Sequence, residues 1–87
     1  MDKKVVVLID SGINKLDFCD CLVGGKHFYV EENYVCCDDS FDDDNGHGSA
    51  CAYTIKSIFP ETQFYIIKIL DQNLVTVYPV LEAALEH

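Results

Sequence analysis

Two short, unbroken apolar runs constrain the fold of this 87-residue chain more than any other feature of its sequence. The first covers residues 5–9, and the second covers residues 64–70 with a single lysine inside it. Continuous apolar runs of this length, without polar alternation, are typical of strands that are buried on both faces of a parallel sheet. We therefore predict an α/β fold built on two central strands.

Helical spacing of apolar residues appears in two other places. One helix is predicted to begin near Gly48 and to be stopped by Pro60. A second helix is predicted from Pro79 to the end of the chain, because proline suits the first turn of a helix. The order strand, loop, helix, strand, helix predicts a parallel sheet with crossover helices in one domain over residues 1–87.

The segments between these elements are less regular. Gly24 and Gly25 predict a turn or a strand edge, residues 27–30 a short peripheral strand, and residues 75–78 a short extended piece. Residues 31–46 contain a run of aspartates and are interpreted as a solvated acidic loop. A substrate charge preference or loose cation binding by this loop remains an alternative.

The charge balance and the length of the apolar runs exclude several classes of function. Six lysines and no arginine stand against fifteen acidic residues, which gives a net charge of −9. Nucleic acids and anionic membranes both need a basic surface, so neither is expected as a partner. No apolar run approaches the roughly 18 residues of a transmembrane helix. The chain start shows no signal peptide, and we expect a cytoplasmic protein.

The five cysteines cannot form a complete set of disulfides within one chain, because their number is odd. A reducing compartment makes free thiols the default. Structural zinc sites usually contain a Cys-x-x-Cys pair, which this sequence lacks. We therefore expect no metal and no cofactor. A zinc site made of Asp10, His47 and some of the cysteines is the minor alternative.

Two residues are candidates for chemistry. Asp10 follows the first apolar run, and the carboxyl ends of strands are where open α/β sheets place catalytic groups. His47 lies between two glycines, which allow close approach of backbone and substrate, and imidazole titrates near neutral pH. An aspartate that orients a histidine is two thirds of a nucleophilic triad. Each residue alone is a weak signal, because a strand-end aspartate is often only a turn residue.

The combination of the two segments is more specific. The segment VVVLIDSGI and, 37 residues after its aspartate, the segment NGHGSACA resemble the aspartate and histidine boxes of the subtilisin-like serine peptidases. Residues 22–25 resemble the glycine-paired segment between these boxes, and residues 64–70 are similar to the strand after the histidine helix. The resemblance covers about residues 4–87. It implies the N-terminal portion of a doubly wound, subtilisin-like peptidase domain, truncated before its end.

The resemblance also implies roles for individual residues. Asp10 corresponds to the aspartate that fixes the histidine tautomer, and His47 to the general base. Cys51 matches a position where some members carry a free thiol beneath the histidine. The implied substrate-binding residues, in the S4 pocket and the strand that pairs with a peptide substrate, are Leu70, Val75, Thr76, Tyr78 and Leu81.

The sequence departs from the family in what it lacks. It contains no serine box and no oxyanion asparagine, and its serines near the boxes, Ser11 and Ser49, lie beside the pair. There is no room for the family's calcium loop before Pro60, and Tyr53 replaces a glycine. We expect a serine endopeptidase acting on peptides or proteins in full-length form, with this chain inactive alone. The alternative is a non-catalytic, degenerate peptidase domain that serves as a binding module. In either case an exposed sheet edge predicts homodimers or other association.

Overall fold

The computed structural model describes residues 4–87, and the first three residues, on which the expectation of no signal peptide partly rests, lie outside it. The described chain contains four strands and two helices in an α/β arrangement, so the predicted fold class is confirmed. In chain order the elements are β1 (Val5–Asp10), β2 (Leu22–Glu31), β3 (Tyr34–Asp38), α1 (His47–Ile58), β4 (Gln63–Lys68) and α2 (Tyr78–Glu86).

The sheet has the strand order β1-β4-β2-β3 and is mostly parallel. Strand β4 pairs in parallel with β1 on one side and with β2 on the other. Neighbouring residues of β4 point to opposite faces. Ile66 joins a core cluster with Ala52 of α1, whereas Ile67 packs with Val80 and Ala84 of α2. The two helices therefore cover opposite faces of the sheet.

The prediction that β1 is buried on both faces is wrong. Val5 and Val7 are 51% and 54% exposed, and Ile9 is also exposed, while Val6 and Leu8 pack against the α1 side of the core. The reason is that α2 packs over β2 and β4, so no described element covers the other face of β1. An apolar run shows that both faces of a strand are suited to burial, but it does not show that another element packs on each face.

The prediction of a loop over residues 31–46 is also wrong in part, because this segment contains β3. Strand β2 is ten residues long, lies inside the sheet rather than at its periphery, and pairs antiparallel with β3. Glu32 and Asn33 join them, both with positive φ (51° and 70°), as in a two-residue type I′ hairpin turn. The pair Gly24–Gly25 forms no turn, since it lies within β2 beside a bulge.

The rest of the acidic segment is fastened to the sheet rather than freely solvated. The Lys68 side chain is buried, and its Nζ donates to the carbonyl oxygen of Asp42 and, at 2.8 Å, to Oδ2 of Asp44. Ile13 also forms a parallel bridge with Asp42. Residues 75–77 form no strand, and α2 begins at Tyr78. Within residues 4–87, no helix is long and apolar enough to cross a membrane.

Candidate active site at the carboxyl edge of the sheet

The structure brings together Asp10 and His47, the two residues that the sequence identified as candidates for chemistry. Asp10 is the last residue of β1 and is 7% exposed, and His47 is the first residue of α1. The imidazole Nδ1 lies 2.9 Å from both carboxylate oxygens of Asp10. The amide of Ser11 donates to Oδ1 of Asp10 at 2.7 Å, which fixes the carboxylate against its own strand end. An ionised carboxylate accepts only, so Nδ1 is the donor and carries a proton.

Two glycines allow close backbone contacts beside the pair, Gly12 with the loop at residues 41–42 and Gly48 with Gly12 itself. Gly12 has a φ of +110°, which favours glycine, and a Cβ there would overlap the Asp42 carbonyl group. A Cβ on Gly48 would overlap the carbonyl oxygen of Gly12. The backbones that carry Asp10 and His47 are therefore in direct contact, and only glycines fit at this crossing.

Sequence reasoning missed the role of Asp43, which accepts hydrogen bonds from the segment that leads into α1 and from its first turn. Its Oδ1 accepts hydrogen bonds from the Ser11 hydroxyl at 2.7 Å and from the amide of Gly46 at 2.8 Å. Its Oδ2 accepts from the amide of Ser49 at 2.9 Å. Asp43 thus satisfies free amides at the start of α1, which has no N-cap side chain. An aspartate shortly before a helix start is the signal that could have found it.

The electrostatics of Asp43 follow from these contacts. Partial burial opposes ionisation of the carboxyl group, but the donors from Gly46, Ser49 and Ser11 outweigh it and hold its pKa well below the usual range. Asp43 is therefore negatively charged near neutral pH, at the positive end of the α1 dipole. This position makes it a structural anchor of the segment that carries His47.

A thiol lies beside the pair. Cys51 is four residues after His47 and so lies on the same face of α1. Its Sγ is 3.7 Å from Nδ1 of His47 and 3.8 Å from Oδ2 of Asp10. Burial, followed by the nearby Asp10 carboxylate, raises the pKa of this thiol. Cys51 is one of five free cysteines in the chain.

The predicted substrate-binding residues separate into two groups. Leu70, Val75 and Thr76 line a cavity of about 250 Å³ together with residues of β2, on the side of the sheet covered by α2. Neither Asp10 nor His47 lines this cavity, and its link to the pair is through the backbone, where the amide of Leu70 donates to the Asp10 carbonyl oxygen. Tyr78 and Leu81 do not line this cavity. Tyr78 is 74% exposed on α2, and Leu81 is half-buried.

The serines near the pair are already engaged. The Ser11 hydroxyl donates to Asp43 and accepts at 2.9 Å from the amide of Gly48. The Ser49 hydroxyl accepts at 2.9 Å from the amide of Asn14. Both hydroxyls hold the loop together. Neither of these serines is therefore placed to act as a nucleophile. The chemistry that the arrangement offers is proton transfer at His47.

Comparison with known proteins supports a link to proteases. No family model matches the chain. It is 39% identical over 77 residues to the minor extracellular protease Epr of Bacillus subtilis (strain 168), and this match covers 78% of the chain and 11% of that protein. The chain thus spans about a tenth of the length of this relative. The similarity indicates a protease-related origin and supports, at most, a subtilisin-like relationship.

Proposed function

We propose that this chain supplies the acid–base half of a subtilisin-like serine peptidase site. The observation that carries the proposal is the contact between Asp10 and His47, in which Nδ1 lies 2.9 Å from both carboxylate oxygens. The similarity to a protease over most of the chain supports it. These 87 residues contain no serine box, so the proposal requires a nucleophilic serine and oxyanion donors from another segment.

In this proposal each residue of the pair has a role in peptide hydrolysis. Asp10 holds the Nδ1 proton of His47 and leaves Nε2 free to accept a proton. As a serine hydroxyl attacks the peptide carbonyl, Nε2 takes the hydroxyl proton, and Asp10 stabilises the imidazolium that forms. Nε2 then returns this proton to the leaving amine. Ser11, through its amide, keeps the Asp10 carboxylate oriented during both steps.

The substrate in this proposal is an extended peptide or protein segment. Val75 and Thr76 would pair with its backbone, as in other cases of strand addition. Leu70 would contact an apolar side chain of the substrate at the cavity that it lines with Val75 and Thr76. Tyr78 and Leu81 are included on the family resemblance alone.

A serine-directed fluorophosphonate probe on the full product of the gene tests the proposal. We expect labelling and peptide cleavage in the full product, and neither in the 87-residue chain. Asp10→Asn should lower kcat by about 10⁴-fold, because the histidine then loses its correct tautomer. Asp39→Asn is the matched control, since Asp39 is a surface carboxylate, 81% exposed, that pairs with Lys26. A full product that binds no probe and cleaves no peptide would exclude the peptidase.

The exposed face of β1 favours a second candidate, a non-catalytic assembly module. Val5, Val7 and Ile9 present apolar surface, and β1 lies at one end of the sheet. Such edges invite pairing with another chain. This candidate requires a gene product without a serine box that associates through β1. The same probe experiment, with no labelling and a stable oligomer, would favour it.

We further propose a cytoplasmic location, which the five free cysteines support because thiols stay reduced there. The relative is named an extracellular protease, so the two proteins would differ in compartment. Fractionation of the producing cells, combined with thiol alkylation before lysis, tests this. Recovery of the protein from the medium would contradict it.

A further inference from the structure

Three side chains of different ligand type converge at the carboxyl edge of the sheet. Asp10, His47 and Cys51 each offer one atom, and these atoms lie within 4.8 Å of one another. Nδ1 is 2.9 Å from Oδ2, Sγ is 3.7 Å from Nδ1, and Sγ is 3.8 Å from Oδ2. Among residues 4–87 this is the one group of three or more histidine, cysteine and acidic residues with such spacing.

The triangle of ligand atoms fits a tetrahedral zinc ion. Zinc bonds of about 2.1 Å to nitrogen, 2.0 Å to oxygen and 2.3 Å to sulfur at the tetrahedral angle place these atoms about 3.4 Å (N to O), 3.6 Å (N to S) and 3.5 Å (O to S) apart. Two of the observed edges are within about 0.3 Å of these values, and the third, between nitrogen and oxygen, must lengthen by about 0.5 Å when the ion binds. The exposed side of His47 leaves the fourth position to water.

The surroundings favour a soft divalent cation over calcium or magnesium. Ca²⁺ and Mg²⁺ prefer sets of oxygen ligands, whereas this site offers one carboxylate, one imidazole and one thiol. Oδ1 of Asp10 is already engaged by the Ser11 amide, which leaves Oδ2 for the metal. His47 and Cys51 lie four residues apart on one helix, so α1 presents both ligands on the same face.

We propose that Asp10, His47 and Cys51 form a Zn²⁺ site that inhibits the proposed peptidase. The ion bonds to Oδ2, Nδ1 and Sγ. The Cys51 thiol proton is released to solvent, and the imidazole proton moves from Nδ1 to Nε2. No electrons are transferred, and one proton is released for each ion bound. This site departs from the expectation of no metal, which rested on the missing Cys-x-x-Cys pair.

The consequence for catalysis rests on the proposed function. A metal on Nδ1 places the imidazole proton on Nε2, the nitrogen that must accept the serine proton. The metal also takes the carboxylate of Asp10 away from its orienting role. Zn²⁺ would therefore block proton transfer without occupying the substrate cleft.

Metal titration of the 87-residue chain tests the site without any need for activity. The titrations use a Cys19→Ser, Cys36→Ser, Cys37→Ser background, which leaves Cys21 buried and Cys51 at the site. Calorimetry with ZnCl₂ should show one ion per chain. Cd²⁺ should produce a thiolate charge-transfer band, and ¹⁵N spectra should show that the His47 proton moves to Nε2.

Two variants of the site and one matched control make the outcome decisive. Cys51→Ser should weaken Zn²⁺ binding by on the order of 100-fold, because a hydroxyl replaces a soft ligand, and Asp10→Asn should also weaken it. His27→Gln is the control, since His27 forms the other histidine–aspartate contact, 3.2 Å to Asp38, without a third ligand. Circular dichroism confirms that each variant is folded.

The possible results separate the two proposals. Absence of binding, or binding that Cys51→Ser leaves unchanged, would overturn the zinc site whether or not the full product is a peptidase. Zinc binding by the chain together with an inactive full product would retain the site and reject the peptidase. An active full product should lose activity in Zn²⁺ and recover it with a chelator, and its Cys51→Ser variant should stay active in the same Zn²⁺.

Discussion

The hydroxyl of Ser11 donates a 2.7 Å hydrogen bond to Oδ1 of Asp43 and accepts one of 2.9 Å from the amide of Gly48. Ser11 directly follows Asp10, and Gly48 directly follows His47. These two bonds therefore join the backbones that carry the proposed acid–base pair. This backbone connection holds the two side chains close together in addition to their own contact.

Replacing Asp43 should loosen the start of α1. Asp43→Ala removes the acceptor for the Ser11 hydroxyl and for the amides of Gly46 and Ser49. We expect the free energy of unfolding to fall by about 2–3 kcal/mol, since these bonds go to a charged group and replace a helix cap. Urea denaturation measures the loss.

The control for this variant is Asp39→Ala. Asp39 forms a 2.7 Å ion pair with Lys26 but is 81% exposed. Its removal should cost less than about 1 kcal/mol, as is usual for surface pairs. Equal losses in the two variants would show that Asp43 is not an anchor.

Acid should destabilise the protein partly through Asp43. Its folded pKa is lowered below the unfolded value of about 3.9, so its contribution is complete above that value and is lost as the pH falls toward the folded pKa. Asp43→Asn should therefore flatten the fall in urea midpoint below about pH 5. Asp38 retains a slope, because the Ser40 amide lowers its pKa. If the urea midpoint falls with pH equally in the natural chain and in Asp43→Asn, Asp43 does not contribute to the acid sensitivity.

Adding one methyl group at Gly48 should separate α1 from the end of β1. The Cβ of Gly48→Ala would overlap the carbonyl oxygen of Gly12, which is backbone and cannot rotate away. We expect a loss of at least about 2 kcal/mol in thermal or urea unfolding. Ala50→Ser, at an exposed position in the same turn, should change stability by less than about 0.5 kcal/mol.

Lys68 should control the mobility of the acidic segment more than global stability. Lys68→Met keeps the aliphatic stem but removes the ammonium group that binds Asp42 and Asp44. Removing a buried charge also removes its desolvation cost, so the urea midpoint should change little. Amide exchange at residues 43–46 should rise about tenfold. Lys26→Met is the control. An equal rise in amide exchange at residues 43–46 in this variant would show that the Lys68 contacts do not hold the segment in place.

The outer face of β1 should mediate self-association. Val7 is 54% exposed on a strand at one end of the sheet, so Val7→Lys introduces a charge where pairing would occur. Sedimentation should show a concentration-dependent mass for the natural chain and a lower mass for the variant. Ile58→Lys changes an apolar residue at the end of α1 that is 64% exposed, and this variant should have no effect on the mass. A natural chain that is monomeric at all concentrations would exclude association.

Local signals account for what could be predicted. The apolar runs identified β1 and β4, and Pro60 and Pro79 identified the limits of the two helices. A strand end and a glycine-flanked helix start made Asp10 and His47 candidates, and the resemblance of both segments together to the aspartate and histidine boxes of subtilisin-like peptidases singled them out. The β2–β3 hairpin was missed, since Glu32 is not a residue that a type I′ turn ordinarily selects.

The sequence by itself therefore determined the fold class, the main elements and the two residues of the proposed pair, because each depends on neighbours within a few positions. Only the tertiary structure decided how the backbones that carry these residues are held. Asp43 contacts Ser11 across 32 positions, and the Ser49 hydroxyl accepts from the amide of Asn14 across 35. Such contacts arise when strand order and helix placement bring distant segments together, so no local pattern encodes them.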